Sequence, residues 1–411
     1  MFERLKKDVD GLNSRLIEWR RDFHRHPELA NQERRTSSVV RSFLESLAIP
    51  VRSAAGTGLV GILEGGKPGR TVALRADMDA LPLIEEGPKP YISENRGACH
   101  ACGHDGHMAI LMGTASLLSQ RRSEMRGRVV FLFQPSEERL PGGAPGMIEE
   151  GALSGVDAVF GLHLWQMLPT GKVASLKGPM MAAPDEFTIK IIGRGGHGSA
   201  PHLTLDPILV ASHLTVNFQS IVSRNVDPLR SVVLTVGTIS AGTVFNIIPC
   251  DATLTGTVRT FDPEIRKLME KRVREVVAGT CATFGATSEV QYVQGYPALV
   301  NDPSMADLVG EVARETLGSQ SAVDIDPVMG GEDFAYFLQK VPGAFIFFGM
   351  GDGTQFPHHH PGFDIDEKAL PQAVLLMTSL ALRYLQSGGQ SRASLENGTK
   401  KRSKPKAERE R

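Results

Sequence analysis

The sequence predicts an α/β protein: a mixed, largely parallel sheet with flanking helices, interrupted by an inserted α+β unit of four strands and two helices. Three observations carry this expectation. The runs 71–74, 129–133, 157–162 and 344–348 are apolar without alternation, as parallel strands buried on both faces are. Helical stretches separate them, as parallel crossovers require. From 185 to about 293 the pattern changes to strand, helix, strand, strand, helix, strand, which marks a unit of another kind. Metal-type side chains stand on both sides of that stretch, so it interrupts the first domain. The expected division is 1–184 and 296–386 for the main domain, 185–295 for the insertion, and 387–411 for a disordered polar tail.

Taken in order, residues 9–45 place Leu12, Leu16, Phe23, Val39 and Phe43 at helical spacing. His24-Arg25-His26-Pro27-Glu28 interrupts them, because Pro27 cannot continue the hydrogen-bond ladder and constrains His26. A helix-to-helix turn is the expectation there, with His24 and His26 as alternative metal ligands. The run 71–74 leads into Arg75-Ala76-Asp77-Met78-Asp79. Cys99-His100-Ala101-Cys102-Gly103-His104-Asp105-Gly106-His107 then concentrates thiolate, imidazole and carboxylate, the side chains that hold transition metals. The apolar run 108–118 reads as a core helix, so this cluster sits at a helix N-terminus, where positive potential favours thiolate and carboxylate.

The run 129–133 passes into Gln134-Pro135-Ser136-Glu137-Glu138, and 157–162 ends at His163. The run 344–348 precedes a Gly-rich turn and Pro357-His358-His359-His360-Pro361. Metal-type residues thus follow the strands' carboxyl ends, where open α/β sheets have their ligand crevice. One sheet edge can gather His104, Glu138, His163 and a histidine of the 358–360 run. Singly each would be an ordinary residue; together they point to a metal site.

In the insertion, 187–192 and 232–236 are β-rich, 205–221 and 264–284 are helical, and 252–259 alternates as a half-exposed antiparallel strand does. Gly193-x-Gly195-x-x-Gly198 matches the dinucleotide fingerprint, but Pro201 and a polar loop stand where a helix should open. These glycines are read instead as turning the backbone tightly around His197.

Composition excludes several classes. With 411 residues, 41% hydrophobic, 22% charged and a net charge of −1, the chain can build two cores and has no field to attract nucleic acid or anionic membrane. No apolar run approaches the roughly 18 residues of a membrane span. The first residues lack the apolar core of a signal peptide. Four cysteines are no disulfide framework, and a reducing cytoplasm is expected. Cys99-x-x-Cys102 could be a redox pair, but the surrounding histidines argue against it. The basic Lys400-Lys401-Arg402-Ser403-Lys404-Pro405-Lys406 reads as a solvated end.

Adjacent Glu137 and Glu138 point in different directions, so one can hold metal while the other addresses a metal-bound water. Metal lowers that water's pKa to about 7 in favourable cases. A carboxylate can then pass its proton to a leaving amine, which is amide hydrolysis. Cys102, His104, Glu138, His163 and His359 exceed the roughly three ligands of one tetrahedral catalytic site, so two divalent ions per subunit are expected. This ligand set suits zinc; manganese, cobalt or nickel can also serve.

Several stretches resemble the dinuclear aminoacylase/carboxypeptidase metallohydrolases, especially the hippurate-hydrolase, auxin-conjugate-hydrolase and thermostable-carboxypeptidase branch. They include Leu74-Arg75-Ala76-Asp77-Met78-Asp79-Ala80-Leu81-Pro82, His100-Ala101-Cys102-Gly103-His104-Asp105, Phe133-Gln134-Pro135-Ser136-Glu137-Glu138, Gly161-Leu162-His163, Gly195-Gly196-His197-Gly198, Gly256-Thr257-Val258-Arg259-Thr260 and Gly331-Glu332-Asp333-Phe334. The resemblance runs from His24 to about Leu385. It implies that Cys102 bridges the metals and that His104, Glu138, His163 and His359 are ligands. His359 is chosen from its run by the pattern His-x-Pro-x-aromatic. It implies Glu137 as general acid/base, and an inserted domain that dimerises and acts as a lid. His197 would reach the other subunit's active site and stabilise the oxyanion. Asn246 and Arg259 would contact the substrate, Arg259 through a carboxylate.

The implied activity is hydrolysis of N-acyl amino acids, hippurate-like, or of short peptides. A carboxypeptidase or dipeptidase preference on the same site is the alternative. A non-enzymatic metal-binding protein, which would not need Glu137, is the other class. Ser136 departs from the alanine of many relatives. His100 and His107 fit structural roles, Asp77 and Asp105 are candidates to orient a ligating histidine, and Cys99, Cys250 and Cys281 are read as inert packers.

Overall fold

The four apolar runs lie side by side in the middle of a seven-stranded sheet of the computed structural model, which describes residues 2–387 apart from Asp352. The parallel centre runs Arg126–Gln134, Lys67–Asp77, Ala158–Pro169, Gly343–Gly351. Antiparallel Val51–Ala54 and Gly58–Glu64 extend one edge, and Val173–Ala174 the other. The register aligns Asp77 with Gln134, Leu74 with Phe160, and Phe347 with His163. The carboxyl ends of the parallel strands therefore lie along one edge. The fold class is the α/β arrangement that the apolar runs indicate.

The chain divides into two compact units: residues up to Lys177 with Asn301–Ile325 and the chain from Phe337 onward, and Gly178–Val300 with Asp326–Tyr336. The expected polar tail falls almost entirely on 388–411, outside the described residues.

In the first unit the helix His104–Ser119 is buried at every residue but Ser119. It packs against Asn13–Arg25, Ala369–Gln386 and the strand Lys67–Asp77. Such burial leaves no room for side chains at two positions. A Cβ on Gly106 would meet Leu164 Cδ1 at 2.6 Å, and one on Gly113 would meet Leu16 Cδ2 at 2.7 Å. The N-terminal helical stretch is in three pieces, Phe2–Asp10, Asn13–Arg25 and Arg34–Ser46. The break after Asp10 goes beyond the single interruption expected at His24–Glu28; Gly11 stands there, a poor helix former.

The second unit is a four-stranded antiparallel sheet in the order Val232–Ala241, Asp251–Thr260, Ala183–Ile192, Thr287–Gln294. Two helices, Pro207–Asn225 and Pro263–Phe284, pack on it. Both open on Asp-Pro: the side chains of Asp206 and Asp262 accept hydrogen bonds from the first-turn N–H groups, and proline occupies a position where its missing N–H costs nothing. Phe187, Ile189 and Ile191 alternate inward from the central strand to form the core with Val210, Leu214 and Met269. The glycine-rich stretch opens no helix. Gly196–His197 is instead a short strand against Ile247–Ile248.

One buried ion cluster ties the first unit together. Arg20 is fully buried in the helix Asn13–Arg25 and donates to Asp105 at 2.9 Å, Asp364 at 2.6 Å and Glu367 at 3.3 Å. Asp105 also meets His24 at 2.7 Å. Truncating Arg20 to alanine leaves Asp105 buried without its main counter-charge. The expected loss is about 3–5 kcal/mol of folding stability, to be read as a lowered urea midpoint at pH 7.

Candidate active site

The site is assembled where the parallel strands end. Cys102 and His104 come from the loop opening the helix His104–Ser119, Glu137 and Glu138 follow Arg126–Gln134, His163 lies on Ala158–Pro169, and His359 follows Gly343–Gly351. Two triads form, Cys102 with His104 and His163, and Cys102 with Glu138 and His359, each with ligand atoms within 4.8 Å of one another. Cys102 is common to both, the place a thiolate between two cations would hold. His104, Glu137 and Glu138 form a third such group.

Hydrogen bonds select which ring nitrogen each histidine offers. His104 donates from Nδ1 to the Asp79 carbonyl at 2.9 Å, so Nε2 is the atom it can offer a cation once that nitrogen gives up its proton. His163 donates from Nδ1 to the Leu164 carbonyl at 2.8 Å, and its Nε2 lies 3.4 Å from Cys102 Sγ. His107 uses both nitrogens, Nδ1 toward Asp77 at 2.6 Å and Nε2 as acceptor from the Leu164 N–H at 2.9 Å. The run of three histidines is sorted the same way. His358 Nε2 is engaged by the Leu164 carbonyl at 2.9 Å, and His360 Nδ1 accepts from the Gly362 N–H at 3.0 Å. His359 adopts φ 65° and sets its Nε2 3.4 Å from Glu138 Oε1.

The glutamates are held through their backbone. Asp79 accepts the N–H of Glu137 at 2.9 Å on one oxygen and that of Glu138 at 3.0 Å on the other. Ser136 has φ 55°, a conformation of higher energy for a residue with a Cβ. Glu33 holds it there by accepting the Ser136 N–H at 2.9 Å, while Asn31 donates to Ser136 Oγ at 3.0 Å. Asp79 and Glu33 are positioning residues that the sequence reading did not single out. Asp79 carried one signal, its place just beyond a strand's carboxyl end.

Two buried atoms, His104 Nε2 and Glu138 Oε1, have no hydrogen-bond partner among the described residues, and they stand 3.8 Å apart. An imidazole nitrogen facing a carboxylate oxygen, neither with a hydrogen-bond partner, fits a cation that takes the place of the imidazole proton. The electrostatics agree. Burial opposes charge on His104, yet Asp77, Asp79 and Glu138 raise it to about 10. Burial pushes the Cys102 thiol well up, and Glu138, Glu137 and Asp77 push it further. Burial, then His107 and His358, hold His163 well below the usual histidine range, so it is neutral.

The remaining sequence candidates lie elsewhere. In the second unit His197 and Asn246 meet on the short ribbon, where Gly198 N–H donates to the Asn246 carbonyl at 2.8 Å. Both are exposed. His197 Nδ1 accepts from the Ser199 N–H at 3.1 Å, which leaves the proton on Nε2. The close approach explains the glycines: a Cβ on Gly195 would fall 2.7 Å from the Ile248 carbonyl oxygen. Arg259 lies on Asp251–Thr260, donates to Thr257 Oγ1 at 3.1 Å, and has no carboxylate partner among the described residues. Asp77 orients His107, and Asp105 serves Arg20 and His24; neither makes a close hydrogen bond to His104, His163 or His359. His24 sits between Asp105 and Glu85, and His26 Nδ1 bonds the Asp22 carbonyl. Cys99 and Cys281 are buried, whereas Cys250 is exposed and so is not a packer; all four cysteines are free.

Binding a divalent ion requires the Cys102 thiol and the His104 imidazolium to give up protons. Titrating metal-free protein with zinc at pH 7 is expected to release about two protons from these residues. His104→Ala should lower the release to about one. A pH indicator in weak buffer reads both.

Comparison with known proteins supplies the family. The profile of peptidase family M20/M25/M40 matches residues 73–383. The chain is 46% identical over 300 residues to an N-acyl-L-amino acid amidohydrolase of Geobacillus stearothermophilus, covering 73% of this chain and 81% of that protein. It is 41% identical over 391 residues to thermostable carboxypeptidase 2 of Saccharolobus solfataricus, covering 93% and 99% of the two chains. Among solved structures, the YXEP protein of Bacillus subtilis, a dinuclear metal-binding peptidase of the M20 family, superposes with a TM-score of 0.80 at 36% identity, over 92% of this chain and 99% of that one. With a pair of candidate ligand triads joined at Cys102 on the carboxyl edge of this sheet, the chain belongs to the M20/M25/M40 peptidase family and is a metal-dependent amidohydrolase.

Proposed function

We propose that the protein hydrolyses N-acyl amino acids, hippurate-like in form, with two divalent ions held by Cys102, His104, Glu138, His163 and His359. The observation that carries this reading is the shared position of Cys102 in two triads, beside Glu137. Zinc fits the mixed thiolate, imidazole and carboxylate set. Bound there, the ions would provide hydroxide at neutral pH and polarise the scissile carbonyl.

The chain's own residues do the rest. Glu137, 7% exposed and steadied by Asp79, takes a proton from the attacking water and returns it to the leaving amine. Arg259 answers the free carboxylate of the amino-acid portion: it forms no close ion pair among the described residues, and Glu186 and Asp185 act on it only through their charge. His197, with a proton on its outward Nε2, supplies a donor to the oxyanion, and Asn246 beside it contacts the substrate.

The second unit exposes Ile208, Val216, Ile239, Phe245 and Ile247, with Phe245 fully accessible. An apolar surface of this kind supports a homodimer in which this unit is the interface and lid. A cytoplasmic enzyme suits four free cysteines. A carboxypeptidase preference remains the second reading, and a carboxylate-recognising Arg259 serves either substrate.

Glu137→Gln is expected to lower kcat on N-benzoylglycine by roughly 100- to 10,000-fold while both metals stay bound, measured by hydrolysis assay and metal analysis on one sample. A turnover near that of the unmodified protein would remove Glu137 from its role. Arg259→Ala should raise KM by roughly 10- to 100-fold for substrates with a free carboxylate. It should change little for the amidated analogue.

A further inference from the structure

Three histidines converge on the backbone of one residue, Leu164. Its N–H donates to His107 Nε2 at 2.9 Å. Its carbonyl accepts from His163 Nδ1 at 2.8 Å and from His358 Nε2 at 2.9 Å. A carbonyl only accepts, so both rings must carry their protons at those atoms. His163 is thereby left with its lone pair on Nε2, the atom 3.4 Å from Cys102 Sγ.

The His358 ring is closely confined. It lies 5.0 Å from Trp165 at 31°, 5.1 Å from Phe363 and 5.3 Å from His163, centre to centre. Trp165 is itself stacked on Phe347 at 4.0 Å and 2°. Any flat ring would fill this slot. What phenylalanine would lack is the N–H aimed at Leu164.

We propose that His358 is a positioning residue for His163: its Nε2–H pins the Leu164 carbonyl, which holds the His163 ring with Nε2 presented to the metal. The inference rests on the proposed reading of His163 as a ligand. It adds a role to a residue which the His-x-Pro pattern passes over. The physical reason is that a ligating imidazole keeps its orientation only as well as the group bonded to its other nitrogen does. With the Leu164 carbonyl held by His358 and the N–H of the same residue held by His107, the peptides on both sides of the Leu164 Cα have little freedom to turn.

The test is metal affinity of the full chain, measured by competition with a chromophoric chelator for zinc and cobalt. His358→Phe keeps a ring but loses the donor; His358→Gln restores an N–H near the Nε2 position. Phe is expected to weaken one of the two metals about tenfold, and Gln to stay within about twofold of the unmodified protein. Cobalt loading should show an altered ligand-field spectrum for Phe and not for Gln. Equal weakening by Phe and Gln would assign the effect to packing and overturn the proposal, as would unchanged affinity in Phe. His163→Ala separates the two claims. If it retains both metals, the ligand reading of His163 fails. If it loses one and Phe loses none, only the role of His358 fails. Metal-free melting curves check that the variants fold. Should Phe not fold, His358→Met replaces it, with the same outcomes.

Discussion

Burying several carboxylates at one edge of an apolar sheet is the constraint on which the site depends. An ion moved out of water costs several kcal/mol unless its charge and lone pairs are answered. Most of the carboxylates here are answered by the protein. Asp77 takes Arg75 and His107, Asp79 takes two backbone N–H groups, and Asp105 takes Arg20 and His24. Glu138 keeps a buried oxygen without a hydrogen bond, opposite an equally bare His104 nitrogen. The imbalance lies where the two candidate triads meet, where a cation would resolve it. The Cys102 thiol is pushed up by burial first, and then by Glu138, Glu137 and Asp77, which disfavour a thiolate without positive charge beside it.

Rigidity comes from the layer beneath the ligands. The helix His104–Ser119 carries two ligand candidates at its opening, and its burial on nearly every side fixes where they stand. Glycines at 106 and 113 permit that depth. Asp79 and Glu33 control the loop of the glutamates through peptide N–H groups. The backbone of Leu164 does the same for the histidines. In each case a backbone group bears the positioning load.

Much of this was legible in the chain. Unbroken apolar runs ending in Glu137-Glu138, in His163 and ahead of the three histidines showed a parallel sheet with chemistry at its carboxyl ends, because strand burial on two faces leaves a local compositional mark. The alternation in 252–259 and the helical periodicity of 264–284 marked the insertion for the same reason. Asp-Pro at 206–207 and 262–263 is local too, and it could have set the helix starts more closely than hydrophobic spacing did. Asp105 was less readable. Its neighbour His104 suggested service to the metal, but a helix sends adjacent side chains in different directions, and Asp105 turns to Arg20 on another helix.

By itself, the sequence determined the strand and helix types, the insertion, the supply of thiolate, imidazole and carboxylate, and the family motifs. These depend on neighbours within a few residues, and composition and period record them. Tertiary structure alone decided which ring nitrogen each histidine offers, that His358 and His360 are engaged while His359 is not, that Asp79 cradles both glutamates, and that one cysteine belongs to two triads. Apart from His163 and His360, which bond the backbone one and two residues on, those outcomes rest on contacts between residues tens to hundreds of positions apart, and no local pattern encodes a partner that arrives only when the sheet has closed.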